Sequence, residues 1–204
     1  MLQTTIPDTL AGDLAAIGRF AASRGWVPAT SGNFSRRIDG RTIAITRSGI
    51  DKGTIGAADL IAVDLEAPLP PGVSAETPLH VARYRNDPGV GAIAHVHSVA
   101  ATVLSRADQA RGYVQVDGFE MQKSIGLTTH ESTVRLPIFA NDQDTQALAR
   151  RIEAALGATP PVPGYLLAGH GLYAWGATMD ETRRHLDGLE FLLACSLEER
   201  RIRR

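Results

Sequence analysis

Three histidines stand in arrangements that suit the binding of a metal ion. His95 and His97 are two residues apart in the segment 91–97, GAIAHVH, which reads as a buried strand. Because side chains alternate along a strand, both imidazoles project from the same face near its carboxyl end. His170 lies between two glycines, at a turn expected between two strands, where its ring is unobstructed. Three neutral imidazoles suit a divalent transition ion, usually zinc, and leave a position open for a substrate oxygen.

The remaining histidines carry a weaker signal. His80, His130 and His185 are interpreted as packed or surface residues, because none has a second ligand nearby in sequence. An H-x-H pair is itself only moderately specific, since single histidines are more often packed or solvated. His80 is a partial exception: it follows Glu76 by one helical turn and can support a group at the metal centre.

Two short segments rich in hydroxyl groups and backbone N–H groups are candidate phosphate-binding loops. The candidate ligands are Ser31, Gly32, Asn33 and Ser35 in the first loop, and Ser48, Gly49 and Lys52 in the second. Ser74 precedes a helix, whose amino terminus would add a favourable dipole for an anion. Each segment also has the composition of an ordinary turn, so each is a weak signal alone.

Two carboxylates are candidates for proton transfer. Glu76 opens a helix, where a carboxylate is also common as a partner of the helix dipole. Glu120 lies in the segment 118–123, GFEMQK, after a short expected strand. A glutamate beside a metal and partly shielded from water can have a pKa near neutral, as proton abstraction next to a carbonyl group requires.

The elements that must position these residues alternate between helices and strands. Apolar residues at helical spacing predict helices that begin at Asp8, after Ser74, after His97, at Asn141–Asp142 and after Thr178. Short runs rich in β-branched or apolar residues predict strands at 42–46, 60–65, 91–97, 165–168 and 172–175. The pattern predicts an α/β or α+β layered fold, with residues 1–204 as a single domain.

Composition excludes several classes of function. The chain has 204 residues, with 21 basic and 22 acidic residues, so its net charge of −1 provides no general attraction for nucleic acid or an anionic membrane. The basic run 200–204 is interpreted as a final helical turn. One cysteine, Cys195, excludes an internal disulfide. With no signal peptide or membrane span in the sequence, we expect a cytoplasmic protein.

Six segments in this order, SGNFS, TRSGIDKG, SAETPLH, AHVHS, GFEMQKS and GHGLYAWG, resemble the class II aldolase superfamily. The resemblance extends from about Leu10 to about Glu198 and is strongest to the sugar-phosphate dehydratases of that superfamily. It implies a three-layer α/β/α sandwich with a central, mainly antiparallel sheet. It also implies one zinc per subunit on His95, His97 and His170, a small phosphorylated sugar as substrate, and a homotetramer with sites near its interfaces.

The resemblance also implies residue roles. Phosphate would lie on the loops of Asn33, Ser35, Ser48 and Gly49. Glu120 falls where the dehydratases carry their catalytic acid–base residue, Glu76 where the aldolases carry theirs, and Thr77 where the dehydratases contact substrate.

Two alternatives stay open. Aldolases and 4-epimerases acting on other sugar phosphates resemble this chain through the same histidines. They continue into a tail that brings a tyrosine to the site, whereas this sequence ends at Arg204, which favours a dehydratase. The other alternative is a non-catalytic zinc-binding interaction protein with the same fold. The presence of both Glu76 and Glu120 beside three intact ligands favours an enzyme.

Overall fold

The computed structural model describes residues 5–157 and 161–203. Its strands form one sheet in the order β3-β2-β1-β4-β8-β7-β6-β5. Neighbouring strands are antiparallel except for the parallel pair β6 and β7. The strands are β1 Asn33–Arg37, β2 Thr42–Thr46, β3 Leu60–Asp64, β4 Ala92–Val96, β5 Tyr113–Val116, β6 Val134–Phe139, β7 Gly164–Leu167 and β8 Gly171–Gly176. The helices are α1 Asp8–Ser23, α2 Thr77–Asn86, α3 Val99–Ala107, α4 Thr145–Leu156 and α5 Met179–Ile202.

Alternation along the strands divides the apolar interior into two cores. In β4, Ala92, Ala94 and Val96 belong to one core and Ile93 belongs to the other. Helices α1, α3 and α5 pack on the first face, and α2 and α4 pack together on the second. The expected three-layer α/β/α sandwich with a mainly antiparallel sheet is therefore confirmed.

Several element boundaries agree with the sequence signals. Ser98 caps α3 by accepting a hydrogen bond from the Ala101 N–H at 3.0 Å, and Thr178 caps α5 by accepting one from the Glu181 N–H at 3.1 Å. Helix α5 includes Arg200 and Arg201, as expected for a basic last turn, while Arg204 lies outside the described residues.

Two expectations about elements were wrong. Helix α4 begins at Thr145, because Asp144 accepts a hydrogen bond from the Ala147 N–H, whereas Asn141 and Asp142 lie in an irregular segment before it and accept local backbone hydrogen bonds. The segment expected to be a loop around Ser35 is instead strand β1 from Asn33 onward. Its pairing with both β2 and β4 supplies hydrogen bonds that local sequence does not reveal.

Among the described helices, none combines the length and apolar character that crossing a lipid bilayer requires.

Gly171 marks a place where two strands approach closely. A Cβ atom at this position would lie 2.1 Å from the Val96 carbonyl oxygen and 3.1 Å from Cε1 of His95. We expect Gly171→Ala to lower the free energy of unfolding by about 2 kcal/mol or more, as overpacking of a core does. Gly12 in α1 is the control, because its Cβ would meet no heavy atom within 4 Å.

The measurement is urea unfolding of both variants. Gly12→Ala should raise the free energy of unfolding by up to about 1 kcal/mol, since alanine is the better helix former. Equal stability of Gly171→Ala and the unmutated protein would contradict the close packing of β4 against β8.

Candidate metal centre

Strand β4 places His95 and His97 on the face covered by α2. His95 lies in register with Tyr173 of β8, and the two rings stack with centroids 4.0 Å apart. On the other side His95 is in register with Asn33 of β1. His97 follows the strand by one residue, and its Nε2 lies 2.8 Å from Nε2 of His95. The two imidazoles therefore converge at the carboxyl end of β4, as the alternation predicted.

A tight turn between β7 and β8 brings His170 to the same point. Gly169 has a φ of 66°, which favours glycine. Helix α3 holds the turn: Thr102 Oγ1 donates to the His170 carbonyl at 2.8 Å, and Ser105 Oγ accepts from the Gly169 N–H at 3.0 Å. The sequence predicted the exposed turn, but the support from α3 follows only from the fold.

The three Nε2 atoms have a spacing that fits one metal ion. His97 and His170 lie 3.1 Å apart through these atoms, and His95 and His170 lie 3.4 Å apart. Tetrahedral zinc with Zn–N bonds of 2.0–2.1 Å requires about 3.3 Å between ligand nitrogens. His95 Nδ1 is 3.0 Å from the Leu172 carbonyl, which can only accept, so Nδ1 carries the proton. The Nε2 lone pair of His95 is thereby left for a metal.

Glu76 completes the cluster from the start of α2. Its Oε1 lies 3.0 Å from His170 Nε2 and 3.5 Å from His95 Nε2. One atom from each of Glu76, His95, His97 and His170 lies within 4.8 Å of the others, so this group can hold a metal ion. The sequence analysis placed Glu76 beside the metal as a proton-transfer candidate, and the structure adds its direct contacts with His95 and His170.

Burial determines the charge of these ligands. Burial lowers the pKa of His95 to about 3 and that of His97 to about 4, so both rings are neutral near pH 7. Burial alone would raise the pKa of Glu76, but the adjacent His95 and His170 and the hydrogen bond from Asn33 lower it well below its usual range. Two neutral donors and a carboxylate form a donor set suited to a divalent cation.

Polar atoms without a partner gather around the cluster. Ser31 Oγ, Thr77 Oγ1 and His170 Nδ1 are buried and make no hydrogen bond to a described residue. Buried polar groups are normally paired, so such a concentration indicates a place where another molecule supplies the partners. The residues present therefore fit a metal ion with a polar ligand beside it.

The two candidate phosphate loops lie next to each other. Lys52 is 1% exposed, and its Nζ donates to the carbonyl oxygen of Thr30, directly before the first loop, at 3.0 Å and to that of Ile50, in the second loop, at 2.9 Å. It therefore joins the two loops instead of extending into solvent. Gly32 and Gly49 have φ values of 76° and 75°, which expose backbone N–H groups without a side chain.

Four members of the expected phosphate-binding set, Asn33, Ser35, Lys52 and Thr77, are buried. Ser35 is fully buried, and its Oγ already bonds His80 Nδ1 at 2.7 Å and the Tyr84 hydroxyl at 3.0 Å. It is not available to a phosphate in this arrangement, because the strand turns it towards α2. Thr77 is also fully buried, although its hydroxyl has no partner among the described residues. Ser74 Oγ accepts from the Glu76 N–H at 3.2 Å.

Glu120 does not join the cluster within one chain. Its side chain is 67% exposed and pairs with Lys123 at 2.7 Å and with His130 at 2.9 Å. Lys123 lowers its pKa, which is the opposite of the near-neutral value expected from a shielded glutamate. Glu120 follows β5, and three strand spacings separate β5 from β8, a distance of about 14 Å. The structure thus corrects the expectation that Glu120 lies beside its own chain's histidines.

His80 gives this region a pH-dependent stability. It is fully buried, and burial lowers its pKa to about 4 from an unfolded value of 6.5. Between these values the unfolded chain takes up a proton that the folded chain does not. The neutral, buried His80 therefore contributes to the free energy of unfolding in full above pH 6.5, and this contribution is lost as the pH falls towards 4.

We expect metal-free His80→Gln to lose less stability than the unmutated protein between pH 7 and pH 4.5, by on the order of 1 kcal/mol or more. Urea unfolding at the two pH values measures this difference. Parallel losses in both proteins would contradict a neutral, buried His80.

The chain matches the Class II Aldolase and Adducin N-terminal domain over residues 12–197. It is 48% identical to the methylthioribulose-1-phosphate dehydratase of Sorangium cellulosum over 196 residues, which cover 94% of this chain and 92% of that one. It is 49% identical to the protein of the same name from Parvibaculum lavamentivorans, with 90% and 91% covered. The L-fuculose-1-phosphate aldolase of Thermus thermophilus is a similar solved structure, with a TM-score of 0.80, 27% identity, and 96% and 97% of the chains covered. The chain therefore belongs to the Class II Aldolase and Adducin N-terminal domain family.

Proposed function

We propose that this chain dehydrates 5-methylthioribulose 1-phosphate to 5-methylthio-2,3-dioxopentyl phosphate, a hydro-lyase reaction of methionine salvage. The observation that carries the proposal is the convergence of His95, His97 and His170 in a chain nearly half identical to proteins named as this dehydratase. The reaction removes one water molecule: a C3–H bond and the C4–OH bond break, and the resulting enol tautomerises to the diketone.

We propose zinc as the metal, with one ion per subunit on His95, His97 and His170. A zinc ion there supplies a Lewis acid for the substrate's ketone oxygen, which makes the neighbouring C3 proton easier to remove. His95 and His97 serve this purpose as neutral ligands whose orientation is fixed by the sheet.

The phosphate group is assigned to the two joined loops. We propose that Ser31, Gly32, Ser48, Gly49 and Ser74 provide its hydrogen-bond donors, because the buried Asn33 amide is already bonded to Glu76 and His80. Buried Lys52 would hold the loops at a fixed distance and contribute positive charge nearby. Because Asn33 of the first loop bonds Glu76 of the metal cluster, and Lys52 joins the second loop to the first, a bound phosphate would orient the rest of the sugar towards His95 and His97.

Proton transfer is divided between two carboxylates in this proposal. Glu76 contacts the histidines and, being ionised near pH 7, can accept a proton released close to the substrate. Glu120 is assigned the removal of the C3 proton and its return to the departing C4 hydroxyl group. Since Glu120 lies far from its own chain's histidines and is exposed, we propose that it acts on the centre of a neighbouring subunit in a homotetramer.

Product analysis tests the proposal against its alternatives. Zinc-loaded protein would be incubated with 5-methylthioribulose 1-phosphate and, separately, with other pentulose and ketose phosphates. A dehydratase yields the 2,3-diketone, whereas an aldolase yields two fragments and an epimerase yields an isomer of unchanged mass. Absence of turnover on the whole panel would favour the non-catalytic zinc-binding alternative.

A further inference from the structure

A chain of hydrogen bonds extends from the metal cluster into the core beneath α2. Asn33 Nδ2 donates to Glu76 Oε2 at 2.7 Å, and Asn33 Oδ1 lies 2.5 Å from His80 Nε2. His80 Nδ1 lies 2.7 Å from Ser35 Oγ, which lies 3.0 Å from the Tyr84 hydroxyl. These hydrogen bonds connect five side chains, from β1, from α2 and from Glu76 directly before α2, and they end on the carboxylate that contacts the histidines.

The chemistry of the groups fixes the direction of every bond. A carboxylate can only accept, so the Asn33 amide must turn its nitrogen towards Glu76 and its oxygen towards His80. His80 must then carry its proton on Nε2, which leaves Nδ1 to accept from Ser35. Ser35 in turn accepts from Tyr84. Each donor therefore points towards Glu76, and the opposite tautomer of His80 would place two acceptors against each other.

The burial of these groups makes the arrangement specific. Asn33 is 3% exposed, and Ser35 and His80 are 0% exposed, so water does not replace a lost partner. A buried polar group that loses its partner is costly, which favours one fully bonded arrangement. The Tyr173 ring, which stacks on His95, also contacts His80 edge-on, with centroids 5.7 Å apart.

We propose that His80, supported by Ser35 and Tyr84, is a positioning residue that fixes the Asn33 amide and thereby holds Glu76 towards the metal-binding histidines. This inference rests on the proposed function in one respect, that the cluster binds a divalent metal. It assigns Ser35 a role other than the phosphate contact suggested by the sequence. It also makes Asn33 a bridge between the core and the site.

Zinc affinity, measured by competition with a chromogenic chelator, tests the inference without reference to turnover. His80→Leu removes both ring nitrogens, and we expect zinc to bind about 10-fold more weakly or worse. His80→Gln places an amide N–H near the former Nε2, so it should restore affinity to within about 3-fold of the unmutated protein. Thr182→Val is the control and should leave zinc affinity unchanged. Thr182 is also fully buried and hydrogen bonded, but it packs on the opposite face of the sheet.

A double-mutant cycle tests whether His80 affects zinc affinity through Asn33. If His80 acts through Asn33, then His80→Leu should cost no further zinc affinity in an Asn33→Ala background. Additive losses would overturn the inference, as would equal zinc affinities of the unmutated and His80→Leu proteins. If His80→Leu does not fold, Ser35→Ala and Tyr84→Phe carry the test, with weaker zinc binding than Thr182→Val expected for both.

The same data separate this inference from the proposed function. Failure of the unmutated protein to bind zinc overturns the metal centre and the positioning role together. Tight zinc binding by the unmutated protein, combined with no change in any variant of the network, overturns the positioning role alone.

Discussion

The His97→Ala protein is expected to lose its bound metal and on the order of 10³-fold or more in kcat, because Lewis-acid polarisation contributes several kcal/mol to such reactions. His97 Nε2 lies within 3.1 Å of both other ring nitrogens, so its removal leaves only two converging imidazoles. Metal content by atomic absorption and the rate of diketone formation measure the two losses.

His185→Gln is the control for this prediction. His185 is buried, but its Nδ1 bonds the Trp175 carbonyl at 2.7 Å and the ring is not part of the cluster. We expect His185→Gln to have a lower free energy of unfolding than the unmutated protein, but the same metal content and the same kcat. Retention of stoichiometric metal by His97→Ala would contradict the assignment of the ligands.

Replacement of Glu120 by glutamine should lower kcat by about 10²- to 10⁴-fold, the range expected for loss of a general acid–base group. Zinc content should not change, because Glu120 lies outside the metal cluster. Glu131→Gln is the matched control, since Glu131 is an exposed glutamate in the same segment. Dehydration by Glu120→Gln at the parent rate would exclude Glu120 as the base.

Subunit mixing tests whether Glu120 acts across an interface. His97→Ala and Glu120→Gln subunits are each expected to be inactive alone. If Glu120 serves a neighbour's centre, unfolding and refolding the two together should restore activity, because some sites combine an intact metal centre with an intact glutamate. No recovery in oligomers shown to contain both subunits would contradict the proposed arrangement.

Sequence patterns predicted that the three histidines suit a metal ion, because the direction of each imidazole is set by residues next to it in the sequence. The spacing of His95 and His97 sets a common face on any strand, and the glycines around His170 favour an exposed turn in most contexts. Glu76 was harder to place, since it reaches the cluster only because α2 packs across the strand that carries His95. That contact depends on tertiary packing, which sequence spacing does not encode.

The polar residues of β1 show where the sequence was insufficient. A run of serine, glycine and asparagine favours a turn, so Ser35 was expected on a loop facing solvent. Pairing with two neighbouring strands places it in the core instead, beside His80. Glu120 shows a different limit: under the proposed arrangement it acts on another subunit, and such a contact cannot be located from the folding pattern of one chain.

Titration of metal-depleted protein with zinc tests the central claim most directly. Diketone formation from 5-methylthioribulose 1-phosphate would be followed as zinc is added in fractions of an equivalent. We predict no dehydration without metal and a rate that rises linearly to a break at one zinc per chain. A full rate in the metal-depleted protein, or metal binding with no diketone at any zinc level, would contradict a zinc-dependent dehydratase.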